Sequence, residues 1–319
     1  MKIAFCSFFI ANSLKGNTPG GAELQIALLA KALAKAGHDV VIIDPFADES
    51  FVSEDGIKLI NLPKWNKGIK GLRAFLYRIP ALYKALKAQK ADYYYVRMRH
   101  YFNLLSYLAA RKVKGKFIMA FASDIDPMSI RKKFQLEYKK DFSLFKYLSV
   151  HLPGDIIYNF LLKKCDYVIL QHSGQEAISP GLNGKKVVFG NIIDLSILPD
   201  GNNSRQNYFA YAGSLTMLKG ADKLYELAEV LSKNNTIVIS GQPNDKKSNV
   251  IFSQMKTVDN ILLKGRLSHY DTVELIANSQ ALINTSDYEG FPNVFLEAWA
   301  MGVPVLSLKV NPGNIFNKY

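Results

Sequence analysis

A carboxylate in an otherwise apolar stretch is the first candidate for chemistry in this chain. Glu297 is the only ionisable side chain between Val294 and Val305, where every other residue is apolar or glycine. It lies either on a narrow solvent-facing strip of a helix or partly buried, and burial without hydrogen-bond donors would be costly. A pair of ligand hydroxyls would supply such donors. Glu289, eight residues earlier, is a second candidate, with an ordinary turn carboxylate as the alternative.

The residues between these carboxylates favour an anionic ligand. Pro292 suits the first turn of a helix, so the backbone N–H groups of Gly290 and Phe291 would point at whatever precedes that turn. The pattern predicts a phosphate group beside Glu289.

A lysine stands at the start of another predicted helix. Lys219 ends the loop that begins with Gly213 and Ser214, and the helix begins near Ala221. A cation at a helix N-terminus opposes the macrodipole by about 0.3–1 kcal/mol. The position is therefore better explained when an anion sits there too, and an ordinary exposed lysine is the alternative.

Two loops in the first half of the chain add further candidates. Gly20 and Gly21 let the backbone approach a ligand at the start of a helix, unless the turn needs glycine for its own geometry. Asp124 and Asp126 follow an apolar run; Asp124 is the candidate for chemistry, and Asp126 is expected to cap a helix starting near Pro127. The three spaced glycines of dinucleotide binding are absent.

No metal site or redox pair is predicted. Cys6 and Cys165 lack close spacing, which fits a reducing, cytosolic compartment. The histidines show no metal-ligand spacing either. We therefore expect structural or exposed roles for all five, namely His38, His100, His151, His172 and His269.

Short runs rich in Val, Ile, Phe and Tyr alternate with helical patterns along the whole chain. Such runs predict strands buried on both faces of a parallel sheet. The first series is Lys2–Phe8, Asp39–Asp44, Ile57–Leu62, Ala91–Met98, Lys116–Ser123, Asp166–His172 and Lys185–Asn191. The second series is Tyr208–Gly213, Thr236–Gly241, Ile261–Gly265, Ala281–Ser286 and Val303–Leu308.

A polar stretch from Leu198 to Asn207 separates the two series and predicts a domain boundary. The fold class is α/β with two Rossmann-like lobes facing a cleft, residues 1–200 and residues 201–319. The chain stops a few residues after a strand, so the second lobe is expected to be truncated. Open sheets bind ligands beyond the carboxyl ends of their strands, where all the candidate loops lie.

The string from Glu289 to Val305, EGFPNVFLEAWAMGVPV, closely resembles the signature of the family 4 (group 1) glycosyltransferases. The resemblance covers nearly the whole chain and is strongest from Tyr208 to Leu308. It implies the two-lobed GT-B fold, with residues 1–200 on the acceptor side and residues 201–319 on the donor side. It also implies a UDP- or GDP-linked sugar as co-substrate, a retaining outcome, and no metal or other cofactor.

The resemblance also implies roles for single residues. Glu289 would lie beside the donor sugar, Glu297 would hold the ribose hydroxyls, and Lys219 would meet the diphosphate. The Gly-Gly-Ala-Glu string beginning at Gly20 would close over the phosphates and the acceptor.

Two positions depart from the family pattern. Ser214 stands where members commonly carry an arginine, a missing charge that Arg266 is expected to replace. Phe121 stands near where many members place a histidine, which leaves Asp124 as the acceptor-side candidate.

The net charge of +13 is concentrated in the first lobe, where residues 64–116 hold 14 basic side chains and a single acid, Asp92. An anionic partner is expected to meet this face. From Trp65 to Lys90, apolar residues recur at near-helical spacing among basic ones, which favours a helix lying on an anionic membrane surface. The alternative is that the apolar stripe packs on the first sheet. No run approaches the roughly 18–20 apolar residues needed to cross a bilayer.

These features predict a retaining, metal-independent hexosyltransferase of envelope polysaccharide or glycolipid synthesis. It would be cytoplasmic, peripheral on the inner face of the cell membrane, and would act on a saccharide or lipid-linked acceptor. Ser214 and Phe121 leave a non-catalytic sugar-nucleotide-binding subunit as the alternative. A nucleic-acid partner would rest on charge alone and is not expected, because no binding motif accompanies the charge.

Overall fold

Every apolar run that the sequence marks as a strand forms one, in two separate sheets. The computed structural model describes residues 1–15, 20–69, 72–138, 143–178, 182–199, 205–231 and 235–318. The first unit comprises Met1–Ile130 and Ser143–Ile192, and the second comprises Ile193–Tyr319 and Arg131–Phe142. The boundary predicted at residue 200 lies outside the described residues.

The first sheet has the strand order β3-β4-β2-β1-β5-β6-β7-β8 and is parallel except for β3, which runs antiparallel to β4. Sequence patterning missed β3 because two residues are too few to show a period. The strands are β1 Lys2–Cys6, β2 Asp39–Ile43, β3 Phe51–Val52, β4 Lys58–Ile60, β5 Tyr93–Val96, β6 Lys116–Ala120, β7 Tyr167–Leu170 and β8 Lys185–Val188.

The helices of the first 192 residues include two long continuous runs. π-Helical turns Ala74–Arg78 and Tyr147–His151 lead directly into α3 and α7, and a third, Phe134–Tyr138, follows α5. The α-helices are α1 Ile10–Leu14, α2 Gly21–Lys35, α3 Ile79–Ala88, α4 Asn103–Val113, α5 Ile130–Lys133, α6 Leu144–Lys146, α7 Leu152–Leu162 and α8 Gly174–Ala177.

The second sheet is entirely parallel, in the order β11-β10-β9-β12-β13. Its strands are β9 Tyr208–Ala212, β10 Thr236–Ser240, β11 Ile261–Gly265, β12 Ala281–Asn284 and β13 Val305–Ser307. Its helices are α9 Ala221–Val230, α10 Lys246–Met255, α11 His269–Ala277 and α12 Asn293–Ala300, with 3₁₀ turns at Leu195–Ile197 and Pro312–Asn317.

Both sheets are covered by helices on both faces, which explains why most residues of their central strands are apolar. In the first unit, α3, α4 and α7 contribute buried residues such as Leu86, Leu105 and Leu161 to one core. Helix α2 covers the opposite face. In the second unit, α9 and α10 cover one face and α11 and α12 the other. Helices that cross between parallel strands begin near the carboxyl edge of the sheet, where ligand loops lie.

The predicted interfacial helix from Trp65 to Lys90 does not form as one helix. Trp65 is buried, and the helical run begins at Arg73. Leu82 and Leu86 pack in the core of the first unit, as the alternative interpretation expected for this part of the stripe. Pro80 lies in the first turn of α3, where its missing N–H costs no helical hydrogen bond. Among the described residues, no helix is long and apolar enough to cross a membrane.

Candidate active site

An ion pair joins the lysine and the first glutamate of the candidate site in the second unit. The Nζ of Lys219 donates to Oε1 of Glu289, and Ser286 Oγ donates to the same oxygen over 3.0 Å. Lys219 precedes α9 and Glu289 follows β12, so two separate loops of one sheet edge bring the charges together. The sequence predicted an anion beside Lys219. In this structure that anion is the carboxylate of Glu289.

The pair depends on a glycine at the start of α9. Gly220 has φ of 70°, and a Cβ at this position would clash with the backbone carbonyl of Thr285 at the end of β12. Thr285 Oγ1 donates to the carbonyl oxygens of Lys219 at 3.0 Å and Gly220 at 2.9 Å. The Lys-Gly sequence therefore serves close packing of two loops, which places the lysine beside Glu289.

The second glutamate is buried and has a hydrogen-bond donor from a neighbouring helix. Glu297 lies in α12 and is 5% exposed. His269 Nε2 lies 2.8 Å from its Oε1. An ionised carboxylate only accepts hydrogen bonds, so Nε2 carries the proton and donates it. The sequence predicted a structural or exposed role for His269; in the structure it is the first residue of α11 and its ring contacts the buried Glu297.

The start of α12 lies between the two glutamates. Gly290 and Pro292 are buried and Phe291 is half-buried. Pro292 is the N-cap rather than a first-turn residue as predicted, and it makes no side-chain cap hydrogen bond. The Phe295 amide donates to the Pro292 carbonyl over 3.2 Å. The helix macrodipole places partial positive charge at this terminus, which suits a phosphate oxygen or a similar anion.

A further cluster of charges stands beside Glu289. Asp287 accepts hydrogen bonds or ion-pair contacts from Lys223 Nζ at 2.5 Å and Lys309 Nζ at 3.5 Å. Lys309 also lies over the ring of Tyr288, 4.5 Å from its centroid. Burial and the nearby Glu289 carboxylate raise the pKa of Tyr211, which keeps this phenol neutral at physiological pH. Three lysines therefore contact the carboxylates of Asp287 and Glu289, an excess of positive charge in this cluster that suits an anionic ligand.

The remaining predicted residues of the second unit lie on the same edge. Gly213 and Ser214 follow β9; the amide of Gly213 donates to the Ser240 carbonyl over 2.9 Å, and Ser214 is half-buried. Arg266 is exposed directly after β11. Its replacement of the charge missing at Ser214 stays a prediction.

In the first unit, Asp124 is held by two side chains from the end of β7. His172 Nε2 lies 3.0 Å from Asp124 Oδ1, and Gln175 Nε2 donates to the same oxygen over 2.8 Å. The side chain of Asp124 is 28% exposed, so its carboxylate is fixed yet accessible. His172, for which the sequence predicted a structural or exposed role, is half-buried and contacts the acceptor-side candidate.

One prediction for the loop after β6, the capping role of Asp126, is corrected. Asp126 does not cap a helix at Pro127, because the next helix begins at Ile130. Its Oδ2 accepts instead from the backbone amides of Ala122 at 2.7 Å and Ser123 at 3.0 Å, which closes the turn after β6. Phe121 is buried in the core.

The glycine loop of the first unit is only partly described, because Asn17, Thr18 and Pro19 lie outside the described residues. Gly20 is the N-cap of α2 and Gly21 is its first residue. The carboxylate of Glu23 lies close to Gly20, where a Cβ would be 2.6 Å from Glu23 Oε2. Burial raises the pKa of Glu23. This helix start therefore already has a carboxylate beside it.

Sequence reasoning missed Ser286, His269, His172 and Gln175 as parts of the candidate sites. All four follow the carboxyl ends of strands, namely β12, β11 and β7. The rule that ligand loops follow strand ends would have selected them if it had been applied to every loop. The described residues hold no group of three or more His, Cys, Asp or Glu side chains arranged to bind a metal ion.

Two family models match the chain, one on each side of the polar stretch. The model described as glycosyl transferases group 1 matches residues 198–315, and the model described as glycosyltransferase family 4 matches residues 19–170. No curated protein sequence matches the chain.

Solved structures share the fold at low sequence identity. Sucrose-phosphate synthase from Thermosynechococcus elongatus has a TM-score of 0.73 and 16% identity, with 99% of this chain and 83% of that chain covered. HepE from Anabaena, in complex with UDP-glucose, has a TM-score of 0.67 and 16% identity, with 99% and 82% covered. WaaG, a glycosyltransferase involved in lipopolysaccharide biosynthesis, has a TM-score of 0.66 and 16% identity, with 96% and 80% covered.

Proposed function

Because this chain belongs to the group 1, family 4 glycosyltransferases, we propose that it is a retaining hexosyltransferase whose second unit binds a nucleoside diphosphate sugar. The observation that carries the proposal is the pair of Lys219 and Glu289 on the carboxyl edge of the second sheet. The ammonium group of Lys219 suits a diphosphate, and the carboxylate of Glu289 suits sugar hydroxyls. HepE, which shares the fold, was solved with UDP-glucose.

Lys219 is proposed to stabilise the diphosphate as it leaves the sugar. An ammonium has three N–H groups and needs only one of them to donate to Glu289, so the others can donate to phosphate oxygens. The negative charge that develops on the leaving group is then opposed by a fixed cation and by the start of α12. Because the ion pair already orders both side chains, less conformational entropy is lost when the sugar nucleotide binds.

The two glutamates are proposed to orient the sugar nucleotide. Both described contacts of Glu289 reach Oε1, so Oε2 can accept from a hydroxyl of the sugar being transferred. In Glu297 the histidine also contacts Oε1, so Oε2 can accept from a ribose hydroxyl. Asp124 is proposed to bind a hydroxyl of the acceptor, with His172 and Gln175 as positioning residues.

Retention is proposed to proceed by front-face attack without a covalent sugar–enzyme intermediate. The anomeric configuration of the product, measured by NMR at early times, should equal that of the sugar nucleotide. An inverted product would contradict this part of the proposal.

The reaction is also proposed to need no divalent metal ion, because Lys219 and the start of α12 supply the positive charge at the diphosphate. Addition of EDTA should leave the transfer rate unchanged. Loss of activity that Mg²⁺ or Mn²⁺ restores would contradict metal independence.

The acceptor is proposed to belong to envelope polysaccharide or glycolipid synthesis, at the cytoplasmic face of a membrane. WaaG, which shares the fold, is involved in lipopolysaccharide biosynthesis. The excess of basic residues between positions 64 and 116 supports an anionic surface as partner.

A ligand panel tests the proposed function most directly. Thermal unfolding should be followed with UDP-, GDP- and ADP-sugars and with ATP and NAD⁺ as controls. A sugar nucleotide at about 100 times its Kd should stabilise the fold by about 2.7 kcal/mol. No stabilisation by any sugar nucleotide would contradict the assignment of the second unit.

A non-catalytic sugar-nucleotide-binding subunit is the second candidate, favoured by Ser214 and the burial of Phe121. Saturable sugar-nucleotide binding with neither hydrolysis nor transfer to any of a broad set of saccharide and lipid-linked acceptors would favour it over the enzyme.

A further inference from the structure

Two helical segments of the first unit expose large apolar side chains to solvent. In the segment Leu72–Tyr77, the exposed fractions are 56% for Leu72, 71% for Phe75 and 63% for Leu76. In the segment Leu144–Val150, Phe145 is 82% exposed and Leu144 60%. Contiguous exposed apolar residues of this size mark an interaction surface.

The two segments lie at the same edge of the first sheet. Leu72–Tyr77 leads into α3, and Leu144–Val150 leads into α7. Both helices pack on one face of the sheet, with α4 in contact with each. Because crossover helices run antiparallel to the strands, their N-terminal ends point towards the carboxyl edge. This is also the edge that carries Asp124 and His172. We call the exposed apolar residues of these two segments the apolar rim.

The charge around the apolar rim has one sign. Residues 64–90 contain no Asp or Glu, and neither do residues 143–154. Lys64, Lys67 and Lys146 are exposed, as are Lys84 and Lys87 on α3. Arg78 is not part of this free charge, because it packs on Trp65 and donates to the Trp65 carbonyl at 2.9 Å.

From this combination we propose that the apolar rim inserts into the headgroup region of an anionic lipid bilayer. Interfacial helices bind anionic membranes through exposed Phe and Leu side chains and through lysines that have no acidic residues near them in sequence. A soluble apolar partner would need only the exposed apolar side chains. It would not explain why the neighbouring charged residues are all basic. The rim therefore serves as a reversible membrane contact, different from a membrane-spanning helix.

The position of the rim also identifies the class of acceptor. This step rests on the proposed function. An acceptor anchored in the bilayer by an acyl or isoprenoid chain would present its headgroup at the carboxyl edge of the first sheet, where Asp124 lies. The enzyme would thus receive a lipid-linked acceptor from the surface on which it is docked.

Vesicle co-sedimentation tests the membrane contact without any need for enzymatic turnover. The full chain is mixed with vesicles of phosphatidylcholine alone or with an equal share of phosphatidylglycerol, at 50 and 500 mM NaCl. We expect at least 10-fold stronger binding to the anionic vesicles at low salt, reduced by high salt. Equally weak binding to both vesicle types would overturn the proposal.

Matched variants locate the contact. The double substitutions Phe75→Ser with Phe145→Ser, and Lys67→Glu with Lys146→Glu, should each weaken binding to anionic vesicles at least 5-fold. The controls Val230→Ser and Lys247→Glu change exposed residues of the second unit and should bind as the unsubstituted chain does. Equal losses in control and rim variants would overturn the assignment to the rim.

Two further measurements keep the interpretations separate. The sugar nucleotide should stabilise every variant equally, because the rim is in the first unit. If it stabilised none of the variants, the proposed function would be contradicted and the membrane contact would be unaffected. Sedimentation velocity without vesicles should give one species of unchanged size in all variants. A dimer that the Phe75→Ser and Phe145→Ser substitutions dissociate would show that the rim is a subunit interface, and would overturn the proposal.

Discussion

The carboxyl edges of the two sheets are built from different kinds of contact. In the second unit the candidate side chains form a charged network, in which Lys219 pairs with Glu289 and His269 contacts Glu297. In the first unit the carboxylate of Asp124 is held by an imidazole and a carboxamide. The first arrangement suits a ligand that carries charge, and the second suits neutral hydroxyl groups. We infer that the two units share one type of α/β fold, whereas the side chains at each carboxyl edge suit a different type of ligand.

The largest expected effect comes from breaking the charged network. Lys219→Ala removes a charge-assisted contact worth about 1.5–3 kcal/mol and leaves Glu289 with Ser286 as its remaining described donor. We expect kcat/KM for the sugar nucleotide to fall by about 10- to 100-fold, measured by initial rates. Lys223→Ala, which removes a neighbouring lysine that pairs with Asp287, is the matched control and should cost less. Equal effects of the two variants would remove the special role of Lys219.

The second expected effect is a loss of stability at low pH, and it arises from a histidine of the first unit. Burial, with the nearby Arg78 charge, lowers the pKa of His100 to about 4. The His100 ring packs among Phe8, Tyr101 and Phe102, and its Nδ1 accepts from the Phe102 amide. The unfolded chain binds a proton at His100 near pH 6.5 and the folded chain does not, so stability is fully present above about pH 6.5 and is lost as pH falls towards 4.

Between pH 7 and pH 5 this single group should cost about 2 kcal/mol of unfolding free energy. Urea unfolding at both pH values measures the difference. A His100→Phe variant that keeps the aromatic packing should lose about that much pH dependence. An unchanged pH dependence in this variant would show that other groups are responsible.

The third expected effect is confined to the acceptor. Asp124→Asn keeps the shape of the side chain and removes its charge, which weakens its hydrogen bonds to His172 and to an acceptor hydroxyl. We expect the acceptor KM to rise about 10-fold, equivalent to about 1.4 kcal/mol, while the KM of the sugar nucleotide stays within about 2-fold. Ser123→Ala is a neighbouring control. If the sugar nucleotide KM rises as much as the acceptor KM, the division of roles between the two edges is wrong.

The smallest expected effect tests a positioning role. His269→Gln keeps a hydrogen-bond donor near Glu297, whereas His269→Ala removes it. We expect the sugar nucleotide KM to rise about 3- to 5-fold in the alanine variant with little change in kcat, and to recover in the glutamine variant. Circular dichroism should show that both variants are folded. Equal losses in both variants would favour a structural role for the imidazole ring.

Sequence patterning predicted most of the fold because strands buried on both faces carry a strong local signal. Runs such as Val40–Ile43 and Ala281–Ile283 are apolar and buried. Gly37, with φ of 81°, follows the C-cap of α2. The errors occurred where the local signal was short or ambiguous. β3 has only two residues, and the stripe from Trp65 to Lys90 divides between an exposed and a buried part.

The sequence by itself determined the two α/β sheets, the family resemblance and the identity of the two glutamates and the lysine, because local period and a long motif specify these. Only the tertiary structure decided which side chains meet. Lys219 reaches Glu289 across 70 positions of sequence because Gly220 lets the end of β12 pack against the start of α9. His269 reaches Glu297 because α11 and α12 pack on the same face of one sheet. Side-chain partners of this kind follow from strand order and helix packing, which no local pattern encodes.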